Sequence, residues 1–387
     1  MSKTKVAVVF GSRSTEHDIS IITAIASVIK PLELSATYEP IPIYIDKQGR
    51  WYSHPKLKDI ALYTTGQIDK FLTKQKPLAL QIGDGLKIFW PSLKPKSVKL
   101  DVVFPATHGT HGEDGELMGL LEMANVAYVG CNMPSSVIAM DKALAKIVAG
   151  HAGITTSKFV WFYSRDFISD NQEVLANLSV LTYPLFVKPV HLGSSIAISR
   201  VVNAKELLNA IEVAAHYDDK IIVEEAVKNL IEVTVPIIGN EEPKAAFVEQ
   251  PVLRSGSMFD FDSKYLRQGK KGQAGAKTAT GAQGYSKLPA ELPKDLYEKA
   301  EQTAINTYKA IGCSGIARVD LLIDSKAKKV YFNEVNPLPG SLYAHNWKKS
   351  GMSNLKLVET LIELAQDRFK RKQQLTTSFK TTYLAQY

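Results

Sequence analysis

Through the N-terminal third of the chain, short continuous apolar runs alternate with stretches in which apolar residues recur at helical spacing. Such runs are typical of buried strands, whereas the isoleucines between Ile19 and Ile29 would form one face of a helix that Ser14 or Thr15 can cap. The predicted strands lie at residues 5–10, 41–45, 100–104 and 127–129, and a second helix lies at 116–123. Strands that alternate with helices indicate an α/β layer with a parallel sheet.

After Pro134 the order of elements changes, and the pattern indicates mixed α+β units. The predicted helices lie at residues 135–150, 204–217, 292–311 and 354–371. The predicted strands lie at residues 157–162, 185–189, 196–201, 220–225, 232–238, 245–249, 316–323 and 329–335. Residues 264–287, rich in Gly, Lys, Ala and Gln, form a long polar loop of the kind that acts as a lid. Earlier in the chain, Asp84-Gly85 marks a hairpin turn.

A chain of 387 residues is too long for one ordinary core, so two or three domains are expected. The pattern divides it into an N-terminal α/β unit, a central unit, a C-terminal unit and a polar tail, at residues 1–133, 134–225, 226–371 and 372–387. No apolar run is long enough to span a bilayer, and the N-terminus lacks the features of a secretory leader. Cys131 and Cys313 are far apart in sequence, so we expect two buried thiols rather than a disulfide, as in a cytoplasmic protein.

The chain carries a formal net charge of +8, from 47 basic and 39 acidic residues. A basic chain can bind nucleic acid, but here the lysines are spread out and no aromatic-rich RNA motif accompanies them. A basic cleft for an anionic nucleotide is the preferred interpretation.

Oxygen-bearing side chains end two apolar strands near the C-terminus. Asp320 ends one run, and Glu334 and Asn336 follow another, two positions apart and therefore on the same side of a strand. Such oxygens are the ligands that Mg²⁺ prefers, and Arg318 shares a face with Asp320. The alternative is a pair of surface charges, but the convergence of three ligands favours a metal beside an arginine, an arrangement suited to phosphate chemistry.

Two lysines and a small-residue loop are candidates for binding phosphate. Lys188 ends an apolar strand, where burying an ammonium is costly unless it meets an anion. The position of Lys142 by itself indicates a solvated helix residue. Gly193-Ser194-Ser195 offers N–H groups and hydroxyls that could bind a phosphate. A flexible hairpin is an equally favoured interpretation of these three residues. Neither a P-loop nor a GxGxxG fingerprint is present.

Two further segments carry polar groups at strand ends. Residues 108–115 contain two histidines and two acids among three glycines, but their spacing fits no common zinc pattern, and a tight strand-to-helix loop is favoured. The strand end at Glu224 and Glu225 offers backbone and side-chain groups that could read a purine, with a solvated linker as the alternative.

In this order and at these separations, the motifs resemble those of the D-alanine–D-alanine ligase family, a group of ATP-grasp enzymes. The resemblance runs from about Lys5 to about Ala365. The motifs that carry it lie at residues 11–20, 108–115, 140–142, 187–189, 193–195, 317–320 and 334–340. It implies a three-domain ATP-grasp architecture, in which an N-terminal α/β domain binds substrate and ATP lies between the central and C-terminal units.

The resemblance also implies a role for each matching residue toward ATP and its metal ions. Lys142, Lys188, Ser194 and Ser195 would contact the phosphates, Glu224 and the backbone near Val227 would face adenine, and Glu232 would hold the ribose. Glu225 stands where many relatives have a lysine facing the adenine. Asp320, Glu334 and Asn336 would bind two Mg²⁺ ions, or Mn²⁺ in their place.

The implied reaction joins two D-alanines. The first carboxylate attacks the γ-phosphate of ATP to give an acylphosphate, and the amine of the second D-alanine then displaces phosphate. The resemblance assigns the oxyanion to Arg318 and the Gly340 N–H, and the first substrate to Glu16 and His108. Ser194 and Tyr265 would link Glu16 to the lid, with Lys264 beside the substrate. Tyr265 favours a dipeptide over a depsipeptide, because relatives that make the latter often carry histidine there.

Several positions depart from the family pattern. Ser12 replaces a usual glycine, a change expected to be mild, and Pro337 removes a backbone donor from the metal loop. His345, followed by Asn346, stands where relatives place the serine that binds the second substrate's carboxylate; histidine can bind a carboxylate but is bulkier.

These departures leave two alternatives open: a ligase that uses another acceptor, and a non-catalytic ATP-binding relative. The family resemblance implies a homodimer, and nucleic-acid and membrane partners are not expected.

Overall fold

The structure is a computed structural model that describes residues 3–83, 85–92, 94, 96–193, 196–251 and 286–387. Four residues with predicted roles, Ser194, Ser195, Lys264 and Tyr265, lie outside the described residues, as does most of the predicted lid.

The N-terminal part is built on a five-stranded sheet with the order β3-β2-β1-β7-β8. Its strands, with those of a neighbouring hairpin sheet, are β1 (Thr4–Gly11), β2 (Tyr38–Ile45), β3 (Trp51–Tyr52), β4 (Ala79–Gly83), β5 (Gly85–Trp90), β6 (Lys96–Leu100), β7 (Val102–Pro105) and β8 (Ala127–Tyr128). The four strands β2, β1, β7 and β8 are mutually parallel, and β3 adds an antiparallel edge. The predicted parallel α/β layer is therefore confirmed.

Helices cover both faces of this sheet, which explains why β1 is an uninterrupted apolar run. They are α1 (His17–Ile22), a π-helical stretch (Thr23–Ile29), α2 (Lys30–Glu33), a 3₁₀ turn (Pro55–Lys58), α3 (Ala61–Thr64), α4 (Ile68–Leu72) and α5 (Glu116–Met123). Val6, Val8 and Phe10 pack on one side, and Ala7 and Val9 on the other. The predicted hairpin is also present, since β4 pairs antiparallel with β5.

The central part is a four-stranded antiparallel sheet with the order β11-β10-β12-β9. Its elements are α6 (Met133–Met140), α7 (Lys142–His151), β9 (Phe159–Tyr163), α8 (Ser164–Ser169), α9 (Asn171–Leu178), β10 (Leu185–Pro189), β11 (Ser199–Val201), α10 (Ala204–Ala215) and β12 (Lys220–Glu225). The strand predicted at 196–201 is shorter than expected.

The single helix predicted at residues 135–150 is wrong. Asp141 takes an extended conformation, with φ −95° and ψ 100°, and separates α6 from α7. Its carboxylate accepts the Leu144 N–H at 2.8 Å and so caps α7. Periodicity continues across the break because both helices bury one face, which is why the apolar pattern did not reveal it.

The C-terminal part is a second four-stranded antiparallel sheet, with the order β14-β13-β17-β18. Its elements, with a two-stranded β15-β16 pair, are β13 (Leu230–Gly239), β14 (Lys244–Ala245), β15 (Gln250–Pro251), β16 (Ser286–Lys287), α11 (Lys294–Ile311), β17 (Gly315–Asp324), β18 (Lys329–Asn336), a 3₁₀ turn (Gly340–Tyr343), α12 (Ala344–Lys349), α13 (Asn354–Gln373) and a 3₁₀ turn (Tyr383–Gln386). The strand predicted at 245–249 is reduced to β14 and an isolated bridge at Glu249.

The N-terminal and C-terminal sheets meet where Gly130 lies against Gly315. The Arg368 guanidinium on α13 joins this contact by donating to the Gly130 carbonyl at 2.6 Å and to the Tyr128 carbonyl at 2.8 Å. Beside it, Cys131 and Cys313 are buried free thiols, as predicted. Among the described residues, no helix is both long and apolar enough to cross a membrane.

The Gly130–Gly315 contact predicts a difference between two glycine substitutions. Gly312 and Gly315 both have positive φ, so alanine strains each by roughly 1–3 kcal/mol. A Cβ at Gly312 meets nothing within 4 Å, whereas one at Gly315 lies 3.0 Å from the Gly130 backbone. In urea unfolding, we expect Gly315→Ala to cost at least about 1 kcal/mol more than the control Gly312→Ala. Equal costs would contradict the contact.

Candidate active site

The β17–β18 pairing brings four polar residues onto one face of the C-terminal sheet. Asp320 lies opposite Glu334, and Arg318 lies opposite Asn336. The other face carries alternating apolar residues and packs into the core beneath α11. The predicted convergence of the acids, the amide and the arginine is therefore present in the structure.

Arg318 and Asp320 form a two-pronged ion pair on this face. Nε of Arg318 donates to Oδ1 at 2.7 Å, and Nη2 donates to Oδ2 at 2.5 Å. Burial would lower the pKa of Arg318, but the Asp320 carboxylate raises it well above its usual value. The Tyr343 ring lies 5.2 Å from the guanidinium carbon and covers the other side of the arginine.

The same face fits a divalent cation by the chemistry of its donors. Asp320, Glu334 and Asn336 supply carboxylate and amide oxygens, the donors that Mg²⁺ accepts. Asp320 also accepts a hydrogen bond from Nδ2 of Asn336 at 3.3 Å. Its carboxylate oxygens therefore already accept from both Arg318 and Asn336. A cation here would share Asp320 with Arg318.

A buried carboxylate and two lysines connect the central sheet to helix α7. Glu224 on β12 contacts Lys188 on β10 at 2.7 Å and Lys146 on α7 at 3.0 Å, and it accepts the Ser157 hydroxyl at 2.6 Å. Burial would raise the pKa of Glu224, but the two lysines lower it strongly. Lys146 also donates to the Phe332 carbonyl on β18 at 3.2 Å, which ties the cluster to the C-terminal sheet.

Lys146 was not identified from the sequence, although the structure buries it completely. Its spacing on α7 is compatible with a solvated lysine, and only the position of Glu224 shows otherwise. Burial lowers its pKa, and Glu224 opposes that shift. For Lys188, burial would also lower the pKa, but the nearby carboxylate of Glu224 raises it.

Lys142 lies at the start of α7, between the predicted phosphate loop and the predicted metal ligands. Its ammonium donates to the Leu192 carbonyl at 2.7 Å and lies 3.7 Å from Oε2 of Glu334. The residue is buried, so the solvated alternative does not describe it. Lys142 is thus placed to join the loop to the β17–β18 face.

Glu16 and His108, predicted to hold the first substrate, approach each other from α1 and the loop after β7. A Cβ on Gly109 would lie 3.1 Å from Oε2 of Glu16, and one on Gly193 would lie 2.9 Å from it. The carboxylate is therefore packed between these two backbones, where glycine alone leaves room. Burial lowers the pKa of His108, against the opposing charge of Glu16, so the imidazole is neutral at neutral pH.

Thr23 connects His108 to the loop that follows β18. Its hydroxyl oxygen accepts the Ser341 N–H at 3.0 Å and lies 2.8 Å from Nε2 of His108. A contact with the Leu338 backbone raises the pKa of His108 against the larger effect of burial. Thr23 begins the π-helical stretch, and the apolar pattern gave no signal for this role.

Glu113 makes a second link between the same loops. Its carboxylate accepts the Gly109 N–H at 2.9 Å and the Leu338 N–H at 3.2 Å. Burial raises its pKa well above the usual value, and the charge of Glu16 adds to the rise. The sequence showed Glu113 only as an acid in a tight loop.

The turn that begins at Gly340 has an unusual backbone. Ser341, Leu342 and Tyr343 have φ of 51°, 55° and 51°, a left-handed conformation that costs about 1–2 kcal/mol for each L-residue. Ser341 is held by Thr23, and Leu342 is fully buried.

Ser12 also has a positive φ, of 88°, so its replacement of glycine is not the mild change expected.

His345 and Asn346, predicted to bind the second substrate, both contact Glu249. Nε2 of His345 lies 2.8 Å from Oε2 of Glu249. Burial would raise the pKa of Glu249, but this contact lowers it below its usual value. Asn346 is fully buried and bridges the Phe247 N–H and carbonyl at 3.1 and 2.9 Å. Their substrate roles stay predictions. Glu249 adds a carboxylate beside both residues.

The predicted adenine and ribose contacts lie around the end of β12 and the start of β13. Glu225 accepts the Thr182 N–H at 2.9 Å, and Val227 is partly buried. Glu232 lies opposite Leu322 and shares the face of Asp320. Their roles toward the nucleotide stay predictions.

The buried cluster predicts a large loss of stability on removing Lys146. Lys146→Met leaves Glu224 with one fewer cation in the interior, which typically costs about 3–5 kcal/mol. Lys309→Met, at an exposed lysine of α11, is the matched control and should change the unfolding free energy by less than about 0.5 kcal/mol. Denaturant unfolding measures both, and equal effects would show that the Lys146 contact contributes little.

Comparison with known proteins places the chain in one family over nearly its whole length. Residues 5–131 match the family described as D-ala D-ala ligase N-terminus, and residues 148–363 match D-ala D-ala ligase C-terminus. The D-alanine–D-alanine ligase of Chloroherpeton thalassium is 36% identical over 96% of this chain and 99% of the relative. That of Acetivibrio thermocellus is 34% identical, covering 95% and 97%.

Solved structures agree with this assignment. The D-alanine-D-alanine ligase from Coxiella burnetii has a TM-score of 0.77 at 32% identity, covering 96% of this chain and 97% of that one. The VanG D-Ala:D-Ser ligase from Enterococcus faecalis has a TM-score of 0.75 at 32% identity, covering 94% and 100%. With both parts of the family matched and the same fold shared, this chain belongs to the D-alanine–D-alanine ligase family.

Proposed function

We propose that this chain is an ATP-dependent ligase that joins two D-alanines into D-alanyl-D-alanine, a building block for peptidoglycan. The observation that supports it most is the contact of two lysines, Lys142 of α7 and Lys188 of β10, with the oxygen donors Glu334 and Asn333 of β18, at 3.7 and 3.3 Å. This arrangement provides positive charge for a triphosphate beside groups that bind a divalent cation.

In the first step, the carboxylate of the first D-alanine attacks the γ-phosphorus of ATP, ADP leaves, and an acylphosphate forms. Lys142 and Lys188 offset the charge of the transferring phosphate, because phosphoryl transfer depends mainly on position and electrostatics. Glu16 holds the substrate ammonium, and the neutral imidazole of His108 lies beside it. The backbones of Gly109 and Gly193 pack against the Glu16 carboxylate and fix its position.

In the second step, the amine of the second D-alanine attacks the acyl carbon to form the C–N bond, and its proton passes to the departing phosphate. The carbonyl oxygen gains negative charge, and phosphate then leaves. Arg318 and the Gly340 N–H are the donors for that charge. The contacts of Tyr343 and Asp320 with Arg318 fix the guanidinium in advance, so little reorganisation is needed.

We propose that Asp320, Glu334 and Asn336 hold two Mg²⁺ ions, or Mn²⁺ in their place. The ions would supply positive charge to the phosphate oxygens of ATP. Glu224, Glu225, Val227 and Glu232 would bind the nucleoside part, and association as a homodimer is also proposed from the family resemblance.

A second candidate is the same chemistry with another acceptor amino acid. The Glu249–His345 pair at the second-substrate position motivates it, because a carboxylate there favours an acceptor with an extra hydrogen-bond donor, such as a hydroxyl. Among the solved relatives, one is named as a D-Ala:D-Ser ligase.

Product analysis separates these candidates. With ATP, Mg²⁺ and D-alanine, we expect mass spectrometry to detect the dipeptide of D-alanine with ADP and phosphate. In an equimolar mixture with D-serine, the D-alanine dipeptide should predominate. Activity only with a non-alanine acceptor would overturn the leading proposal in favour of the second. ATP binding without turnover on any amino acid would instead support a non-catalytic relative.

Arg318 should contribute to the reaction rate through the developing oxyanion. Arg318→Gln removes a charged donor and should lower kcat by roughly 10²–10³-fold. Arg200→Gln, at an exposed strand position, is the control and should leave kcat unchanged. Steady-state phosphate release measures both, with calorimetric ATP binding as a test that the cleft is intact. An unchanged kcat in Arg318→Gln would refute the assignment.

A further inference from the structure

His191 follows β10 at the base of the loop that leads to Gly193, and two aspartates from different elements hold it. Its Nδ1 lies 2.9 Å from Oδ1 of Asp218, and its backbone N–H donates to Oδ2 of the same residue at 2.7 Å. Its Nε2 lies 3.6 Å from Oδ2 of Asp141, the residue that caps α7. Both ring nitrogens thus face carboxylates.

The segment that His191 fixes contacts two residues with proposed roles in the reaction, Lys142 and Glu16. Immediately after it, the Leu192 carbonyl accepts the Lys142 ammonium at 2.7 Å. The next residue, Gly193, lies against the Glu16 carboxylate. Immediately before it, the Val190 carbonyl accepts the Lys142 N–H at 3.4 Å. A shift at His191 would therefore move two groups together: the Leu192 carbonyl that accepts from Lys142, and the Gly193 backbone that packs against Glu16.

The charges around the ring favour its protonated form. Asp141 and Asp218 face its two nitrogens, and a carboxylate oxygen of Asp219 lies within 4.8 Å of the group. Lys220 on β12 contacts Asp141 at 2.6 Å, and Lys142 begins α7 beside the same aspartate. Hydrogen bonds to Asp141 and Asp218 raise the pKa of His191 to about 9, so the ring is an imidazolium at neutral pH.

We propose that His191 is a positioning residue for the ligase reaction, whose imidazolium ties residues 190–193 to Asp218 and Asp141 and so holds Lys142 and Gly193 in place. The inference rests on the proposed function, because Lys142 and Glu16 are the groups that it positions.

A pH dependence follows from the raised pKa. A group with a raised folded-state pKa contributes stability that is fully present below its unfolded value, about 6.5, and is lost as pH rises through its folded value. The His191 contribution should therefore be lost as pH approaches and passes about 9. Arginine at this position would stay charged throughout that range.

The experiment compares wild type, His191→Gln and His191→Arg in kcat/KM for ATP between pH 6.5 and 9.5. At pH 7, His191→Gln should lose roughly 10- to 100-fold, because it misplaces Lys142 and Gly193. The ratio of wild type to His191→Gln should then fall toward one above pH 9. His191→Arg should recover most of the activity at pH 7 and move the alkaline decline to higher pH.

His151→Gln, at an exposed histidine at the end of the same helix α7, is the control and should follow wild type at every pH. Thermal unfolding over the same pH range gives a readout independent of catalysis. The stability of wild type should fall relative to His191→Arg as pH approaches 9. If His191→Gln does not fold, the comparison of wild type with His191→Arg still decides the proposal.

Three results would overturn the proposal: a ratio of wild type to His191→Gln that is independent of pH, equal behaviour of His191→Gln and wild type, or identical pH profiles of His191→Arg and wild type. Failure of the proposed function would look different from failure of the His191 proposal. In that case wild type would release no phosphate in response to amino acids, and thermal unfolding would still test the role of His191.

Discussion

The site depends on the register between β17 and β18. That register sets Asp320 opposite Glu334 and Arg318 opposite Asn336, and a slip of one residue in either strand would turn that strand's two residues into the core. The register shifts between Asp320 and Leu321, where Asn333 is the extra residue on β18, so Glu334 lies opposite Asp320 while Phe332 lies opposite the buried Leu321. Apolar residues on the opposite face, buried beneath α11, make the slipped register costly. Core packing and site geometry are therefore fixed by the same alternation.

Charged and polar groups then join the three parts of the chain around this face. Glu224 and Lys188 belong to the central sheet, Lys146 reaches the Phe332 carbonyl on β18, and Thr23 and Glu113 reach the loop after β18 from the N-terminal part. Each of these groups is buried and would be costly without its partner. The parts of the molecule are thus specified relative to one another mainly by directional contacts near the site, rather than by apolar area alone.

Much of this could be predicted from local sequence. The parallel sheet followed from continuous apolar runs, and the face shared by Asp320, Glu334 and Asn336 followed from spacing along strands. The break at Asp141 was missed because a polar residue between two amphipathic helices hardly changes their period. Lys146, Thr23 and Glu249 were missed because their roles depend on partners far away in sequence, such as Glu224, His108 and His345. Spacing within one element carries no information about such pairs.

The left-handed turn at residues 341–343 has a consequence for when the protein becomes competent. L-residues do not adopt this conformation by preference, so contacts hold the turn on both sides: Thr23 accepts the Ser341 N–H, and the Tyr343 ring lies against Arg318 of the C-terminal sheet. The turn is therefore stabilised by both the N-terminal and the C-terminal parts when they are docked. A partly opened chain would keep both sheets and lose the Thr23 contact, so the arrangement around Gly340 belongs to the assembled molecule.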